Sequence, residues 1–599
     1  MLSDDGYEIP WRPPYEAWSV PAWGLAAISI LLLGQFFSLP VAPVMVGVSV
    51  SMVMVAYRGR QAWRVIKRNS RTGDSSLWFM DQKELIKKGE KIPENHYWLG
   101  FGFDYGPEEA SRVRYLLEKG PELVLGKDVA KSNGAYWVHG AGEERDIGIN
   151  LADAVGHTLL TGTTRTGKTR ILDLKITQAI MRGEPVIIVD PKGDHELREN
   201  AKQACEEAGH PERFFMFHPA YPEDSVRLDP LRNWNRSTEL ASRIAALIPS
   251  ETGADPFTAF GWQALNNIVN GLLLVYERPN LVKLRRYIEG GPDDLVSRSL
   301  ALHFAKHIDN WDDQVRPYVK QARGDTVEGY IRFYHEQVAG VASSPEIEGL
   351  ISSYKHNREH FQKMIASLIP ILGMLTSGPL RELLSPEASL DDPRPAMDIS
   401  KIIETNSVLY IGLDSLSDTT VGSAIGSIMC ADITAVAGNI YNYGKPKPVN
   451  LYIDEAAEVV NDPLIQALNK GGGAGFRLTL ALQTIADLAA RLGSKEKALK
   501  VLGNINTLIS LRVKDLETQE FVSETMPEVE IKSLERQYRH GADKDSPLTF
   551  TGTYMESLVK EKELLVPPAL LGMLPPLHYI ANLPGGRVVK GRVPILTRS

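Results

Sequence analysis

The sequence predicts an α/β protein, a sheet of buried strands interrupted by an inserted all-α stretch and preceded by a two-helix transmembrane anchor. Three observations carry this reading. Short apolar runs of strand length, Thr158 to Leu160, Val186 to Asp190, Val408 to Leu413 and Leu451 to Ile453, alternate with helix-permissive segments, as in a sheet covered on both faces. Between Arg236 and Leu384 apolar residues recur at helical spacing with no convincing alternating run. Near the N-terminus, two runs without a charged residue flank Pro40.

Those two runs, Val20 to Leu39 and Val41 to Tyr57, are each close to the roughly 17 to 25 residues that cross a bilayer as a helix. Pro40 and Pro43 mark a tight turn between them. Arg58, Arg60, Arg64, Lys67, Arg68 and Arg71 follow the second run, which places that end in the cytoplasm and returns the leader, residues 1–19, to the same side. A cleaved signal peptide is disfavoured, because the leader carries Asp4, Asp5, Glu8 and Glu16 against a single Arg12 and a second apolar run follows directly. Trp18, Trp23 and Tyr57 suit the lipid interface.

At 599 residues the chain exceeds one core, so more than one domain is expected. A net charge of -8 excludes a protein that coats nucleic acid by overall charge, and any DNA contact has to be local. Cys205 and Cys430 stand far apart without metal spacing, which predicts free buried thiols in a reducing compartment. Residues 58–150 form the juxtamembrane part and the start of the nucleotide fold, 151–235 its first half, 236–395 the all-α domain and 396–599 the second half. Within the first of these, NHYWLGFGFD (Asn95 to Asp104) reads as packing, and Asp146 to Asn150 as an edge strand leading into the strand at Thr158. Lys283, Arg285 and Arg286 beside Tyr287 in the helical stretch fit either a nucleic-acid contact or a solvated face.

Gly162 to Thr169, GTTRTGKT, fits G-x-x-x-x-G-K-[ST] at every specified position, with an apolar strand before it and a helix-permissive segment from Arg170 to Met181 after it. Gly162 and Gly167 allow the tight turn, and Thr163, Thr164, Arg165 and Thr166 supply backbone amides to phosphate oxygens. Lys168 is placed for the β and γ phosphates, Thr169 for Mg²⁺, and Arg170 lies in the first turn of a helix whose N-terminus favours anions.

Phosphoryl transfer needs a second acidic strand. Val449 to Glu455, VNLYIDE, provides it: Asp454 can order the Mg²⁺ shell and Glu455 can polarise water. Asp190, at the end of its own strand, faces the nucleotide with Lys192 or else caps the turn that follows. Gln483 ends the strand Leu478 to Leu482, where a polar residue senses the γ phosphate or orients water; otherwise it is a surface amide. Phe214 to Phe217 and Thr507 to Leu511 add further strands. His578 to Asn582 and the basic tail around Arg587, Lys590 and Arg592 are expected to close the sheet edge.

In this order, the two-span anchor, YWLGFGF (Tyr97 to Phe103), HTLLTGTTRTGKT (His157 to Thr169), VDPKGD (Val189 to Asp194), YIDEA (Tyr452 to Ala456) and LALQT (Leu480 to Thr484) resemble the TraD-like coupling proteins of conjugative type IV secretion, within the FtsK/HerA class. The resemblance covers most of the chain and implies a RecA-like P-loop ATPase domain. It further implies a hexameric inner-membrane ATPase that uses ATP and Mg²⁺ to pump DNA and links the relaxase-bound strand of the relaxosome to the channel proteins. By carry-over Lys168 and Thr169 bind phosphate and Mg²⁺, Asp454 supports the metal, Glu455 activates water and Gln483 senses the γ phosphate. Arg165 stands where many relatives have glycine. The arginine that relatives carry about ten residues before the glutamine is glycine here, leaving Lys470 or Arg477 as substitutes. Two other readings stand beside this one: an FtsK-like chromosome-segregation motor, and a docking receptor in which ATP mainly controls assembly.

Overall fold

The computed structural model describes residues 10–70, 76–91, 93, 95–125, 133–247, 256–386, 392–543 and 546–598; Asp4, Asp5, Glu8 and Arg71 of the membrane reading lie outside them. Two antiparallel helices open the chain, α1 (Tyr15–Phe36) and α2 (Val41–Ser70). Leu25, Leu32, Phe36, Val46 and Val53 are more than half exposed on them, as expected of side chains that face lipid rather than a protein core. The pair is close-packed at Gly34, where a Cβ would come within 2.7 Å of Val44 Cγ2. At 1.5 Å per residue, α2 is ~45 Å long, against ~30 Å of hydrocarbon. The predicted span ends at Tyr57, but the helix continues through Arg58, Arg60, Arg64 and Lys67, so the basic flank is the same rigid rod.

Eleven strands form the main sheet. In chain order they are β1 (His96–Asp104), β2 (Arg145–Asn150), β3 (Thr158–Thr161), β4 (Val186–Asp190), β5 (Phe214–Phe217), β6 (Val408–Gly412), β7 (Val449–Ile453), β8 (Phe476–Leu482), β9 (Thr507–Ser510), β10 (His578–Leu583) and β11 (Arg587–Arg592). Their spatial order is β2-β1-β11-β10-β9-β3-β8-β7-β4-β6-β5. From β9 to β5 every pairing is parallel, and β3, β4, β6 and β7 are buried along their whole length, which is why they read as unbroken apolar runs. The other four are antiparallel.

One expectation changes here. The C-terminal strands β10 and β11 do not close the sheet edge but lie inside the sheet, joining the parallel part to β1 and β2, while β2 forms the outer edge, as read from Asp146 to Asn150. Spatial adjacency of the first and last segments of the fold is a long-range contact that local patterning does not carry. The glycines of YWLGFGF show what that contact demands. A Cβ on Gly100, where φ is +110°, would lie 2.1 Å from the Arg592 carbonyl oxygen, and one on Gly102 2.2 Å from that of Lys590.

Helix α3 (Lys168–Met181) crosses from β3 to β4 and covers one face, packing Ile171, Leu172, Leu174 and Ile176 with Leu160, Ile188 and Tyr410. Trp98 on β1 exchanges two hydrogen bonds with the Gln178 amide of α3, at 2.8 and 2.9 Å, so the sheet curls around this helix. The opposite face packs α4 (Thr419–Tyr443), which is long and apolar enough for a membrane span but is mostly buried in the core. All elements from Ser237–Ala245 to Gly378–Leu384 are helical among the described residues, and their apolar residues join the core on the α4 face without a break. Cys205 and Cys430 are free and buried. A long antiparallel ribbon, Glu528–Asp543 with Ser546–Leu564, stands apart from the main sheet; it is absent from the sequence reading.

Candidate active site

The C-terminal ends of four adjacent parallel strands, β3, β8, β7 and β4, lie along one edge of the sheet, where α/β folds place ligands. They carry the loop Gly162–Gly167, Gln483, the pair Asp454–Glu455 and Asp190 respectively.

The glycine-rich loop is held from outside. Gly162 N–H donates to the Leu482 carbonyl (3.2 Å), Thr163 N–H to that of Arg512 (2.9 Å), and Leu577 N–H to that of Thr166 (2.8 Å). Gly167 turns the chain into α3 at φ +113°, and a Cβ there would meet Leu577 at 2.8 Å. Neither Arg512 nor Leu577 is legible from sequence as a loop support, since each acts through a backbone group far away in the chain. Among the described residues no hydrogen bond is made by the amides of Thr164 to Thr169. They form a cradle of donors at a helix N-terminus, the chemistry that receives phosphate oxygens. Thr164 and Arg165 are exposed, and Arg170 pairs with Glu196 at 2.6 Å on the surface of α3.

The acidic pair faces this cradle across β8. Glu455 Oε1 collects three donors: Lys192 Nζ at 2.6 Å, Gln483 Nε2 at 2.8 Å and Lys168 Nζ at 3.5 Å. Lys168 also donates to the Gly162 carbonyl at 2.7 Å. Burial alone pushes the Glu455 carboxyl up, but the Lys168 and Lys192 ammonium groups and the Gln483 amide hold it below its ordinary value. Asp454 is driven the other way: burial, then the charges of Glu455 and Asp190, raise it to about 7 against the opposing pull of both lysines. A carboxyl so placed has little reason to ionise unless a cation joins it, which is the donor chemistry of a Mg²⁺ ligand.

Asp190 does something different from facing the cleft. Its Oδ1 accepts from the amides of Lys192 (3.0 Å) and Gly193 (3.2 Å), and its Oδ2 from the Asp194 amide and the Tyr410 hydroxyl (both 2.7 Å). Both oxygens are consumed in shaping the turn that delivers Lys192 to Glu455. Gln483 is no surface amide. Arg477 sits at the start of β8, at the far end of the strand from Gln483, and pairs with Glu184 at 2.9 Å; Lys470 is exposed at the end of the preceding helix, on that same far side. His157 clamps the start of β3: its Nε2 lies 3.0 Å from the Leu468 carbonyl, and its Nδ1 accepts from Leu478 N–H at 3.3 Å. Burial holds this imidazole at about 4, neutral as the clamp requires.

A phosphate cradle and an acidic pair on parallel strands, one strand apart, define the class: a P-loop nucleotide-binding fold with a mixed sheet. Within that class, one stretch of the chain is similar to TraD and TraG. Residues 448–576 match the family described as the TraM recognition site of TraD and TraG. In fold the chain is similar to the plasmid coupling protein TrwB in complex with the non-hydrolysable GTP analogue GDPNP, at 19% identity and a TM-score of 0.50, covering 75% of this chain and 88% of that one. The form with the ATP analogue ADPNP matches at 19% and 0.49, over 75% and 87%. VirB4 of Thermoanaerobacter pseudethanolicus matches at 13% and 0.39, over 73% and 89%. Among curated proteins none matches by sequence. The two N-terminal apolar helices fit a membrane anchor.

Proposed function

We propose that this chain is an inner-membrane conjugative coupling protein, a Mg²⁺-dependent ATPase that drives DNA toward a type IV secretion channel and receives the relaxase-DNA complex. The observation that carries it is the convergence on Glu455 Oε1 of Lys168, Lys192 and Gln483, which come from three separate segments of the chain. In this reading the amides of Thr164 to Thr169 and the Lys168 ammonium bind the phosphates, and Thr169 with Asp454 would hold Mg²⁺, whose charge supplies Lewis-acid stabilisation of the transferring phosphoryl group when bound. Glu455 accepts the proton of the attacking water. Lys168 is drawn to the phosphates, which leaves the carboxylate between Lys192 and Gln483, and Gln483 orients it. Asp190 acts at one remove, through Lys192. Residues 151–235 and 396–599 make one RecA-like unit, 236–395 an all-α insertion, and residues 20–57 the membrane spans. The working form is a homo-oligomer, a hexamer by the family resemblance, in which no residue is assigned as the trans-acting cation.

The TraM-recognition match favours a second reading, a docking receptor in which nucleotide binding mainly closes the ring. Conjugal transfer from donors carrying Lys168→Ala, measured with DNA-stimulated ATP hydrolysis, tests both. The motor reading expects transfer and hydrolysis to fall by at least about 100-fold in Lys168→Ala and in Glu455→Gln. Transfer that survives Glu455→Gln while hydrolysis is lost selects the receptor; undiminished transfer in Lys168→Ala rejects the motor.

A further inference from the structure

Beneath the nucleotide edge, between α3 and the same strands, lies a separate small cavity of about 20 Å³, room for a single water-sized species. Three adjacent strands build its floor. Thr158 on β3, Thr479 on β8 and Tyr452 on β7 pair side by side across the sheet, with Arg477 one step toward the strand starts. From above, α3 contributes Lys175, 7% exposed, and Arg182 follows at the helix end, while Tyr97 of β1, 4% exposed, closes the side.

Three cationic side chains line this space and no carboxylate does. The nearest acid, Glu184, is outside the lining and already accepts from Arg182 (2.8 Å), Arg477 (2.9 Å) and Asn450 (3.0 Å). Among the described residues Lys175 pairs with no acid: its ammonium donates to the hydroxyl oxygens of Thr158 (3.0 Å) and Thr479 (2.9 Å) and lies 5.1 Å from the Tyr97 ring centre. Two lining groups are sealed from solvent with no hydrogen-bond partner, the Nε of Arg182 and of Arg477, and the equally sealed Tyr97 hydroxyl has only the Thr158 hydroxyl beside it, without a well-formed bond. Buried donors in native proteins are almost always satisfied, by protein, water or an ion. A water could be seated by the spare hydroxyl lone pairs and the Asn450 amide oxygen, but it brings no charge, and three lining cations with one carboxylate beside them leave this space net positive. An anion brings the missing charge.

We propose that this cavity is a binding site for one monoatomic anion of the halide class, chloride in the cell, held by Lys175, Tyr97 and the Arg182 and Arg477 guanidinium groups. The ion ties α3, whose N-terminus forms the phosphate cradle, to strands β3 and β8. Burial without a counter-charge lowers the Lys175 ammonium to about 7, and a resident anion removes that penalty. The site is independent of the functional reading above.

The test uses the detergent-solubilised full chain. At constant potassium and ionic strength, replacing gluconate by chloride or bromide is expected to raise the melting temperature saturably by about 2 °C or more. Lys175→Met abolishes the response, and Tyr97→Phe raises the half-saturating halide concentration by about tenfold, as loss of one hydrogen bond to a charge does. Crystals grown in bromide show an anomalous peak between Lys175 and Tyr97. Equal melting temperatures in gluconate and halide, a map with no peak there, or a halide response in Tyr97→Phe equal to that of the unaltered chain overturns the proposal. The tyrosine variant decides alone should Lys175→Met not fold.

Discussion

Arg165 at φ +59° and Glu455 at φ +45° are among the non-glycine residues of the candidate site with positive φ. For an L-residue that conformation costs about 1 to 2 kcal/mol, and such strain concentrates where geometry is imposed by function. At Arg165 the conformation is one that glycine would adopt without strain. At Glu455 it turns the carboxylate away from its strand and toward Lys168. Arg165→Gly is expected to leave nucleotide affinity and hydrolysis within about threefold, because relief of strain roughly offsets the ~0.5 to 1 kcal/mol of added freedom in the unfolded chain. Arg165→Val, β-branched at the same φ, is expected to lower the melting temperature and weaken nucleotide binding. Thermal melts and binding titrations on both variants decide it. A tenfold loss of affinity in Arg165→Gly alone means that the guanidinium, not the backbone, is what the site requires. The loop, the acidic pair and Gln483 were legible in the sequence because each is a local pattern of residue types. The supports from Arg512 and Leu577 were not, since a carbonyl and an amide leave no mark on side-chain identity.

Among elements the same division holds. Strands buried on both faces announced themselves, and the expected Val408 to Leu413 differs from β6 by a single residue. The ribbon gave no such signal, because its apolar and charged residues mix and, among the described residues from Leu534 to Arg539 and from Gly552 to Leu558, none is buried. About 50 Å long at ~3.3 Å per residue, it is fixed at its base, where Ile531 is buried and Arg114 of helix Pro107–Lys119 pairs with Glu563 and donates to the Leu564 carbonyl. Further out, Leu534 pairs with Leu558 and Tyr538 with Tyr554, the tyrosine rings 5.1 Å apart and more than half exposed. Within residues 448–576 the strands β7, β8 and β9 are buried, whereas the ribbon exposes Tyr538, Tyr554, Met555 and Leu558 together. On the coupling-protein reading it is the face met by a relaxosome protein. Replacing residues 533–559 with an Asn-Gly turn is expected to leave melting temperature and ATP hydrolysis unchanged while conjugal transfer and co-purification of relaxosome proteins are lost. Normal transfer by that deletion removes the ribbon from consideration.

For the molecule as a whole, the open matter is whether the helical stretch is a unit of its own or part of the sheet's core. Helical periodicity suits both, because it reports which face is buried and not against what. The structure supplies a discriminating contact. Arg243, on the helix Ser237–Ala245, donates to Asp432 of α4 at 2.8 Å and to the Pro230 carbonyl at 2.7 Å, with the two charged side chains 4% and 1% exposed. Together with the unbroken apolar cluster, this buried pair predicts that the helices and the sheet unfold as one cooperative body. Removing one partner leaves an uncompensated buried charge, so Asp432→Ala is expected to cost about 3 to 5 kcal/mol. In denaturant, amides of residues 256–384 and of strands β3 to β8 are expected to lose hydrogen-exchange protection at the same midpoint, and Asp432→Ala to lower that midpoint for both sets equally. A midpoint that falls for the helices alone, with the strands unmoved, means two separate cores joined by a contact too weak to couple them.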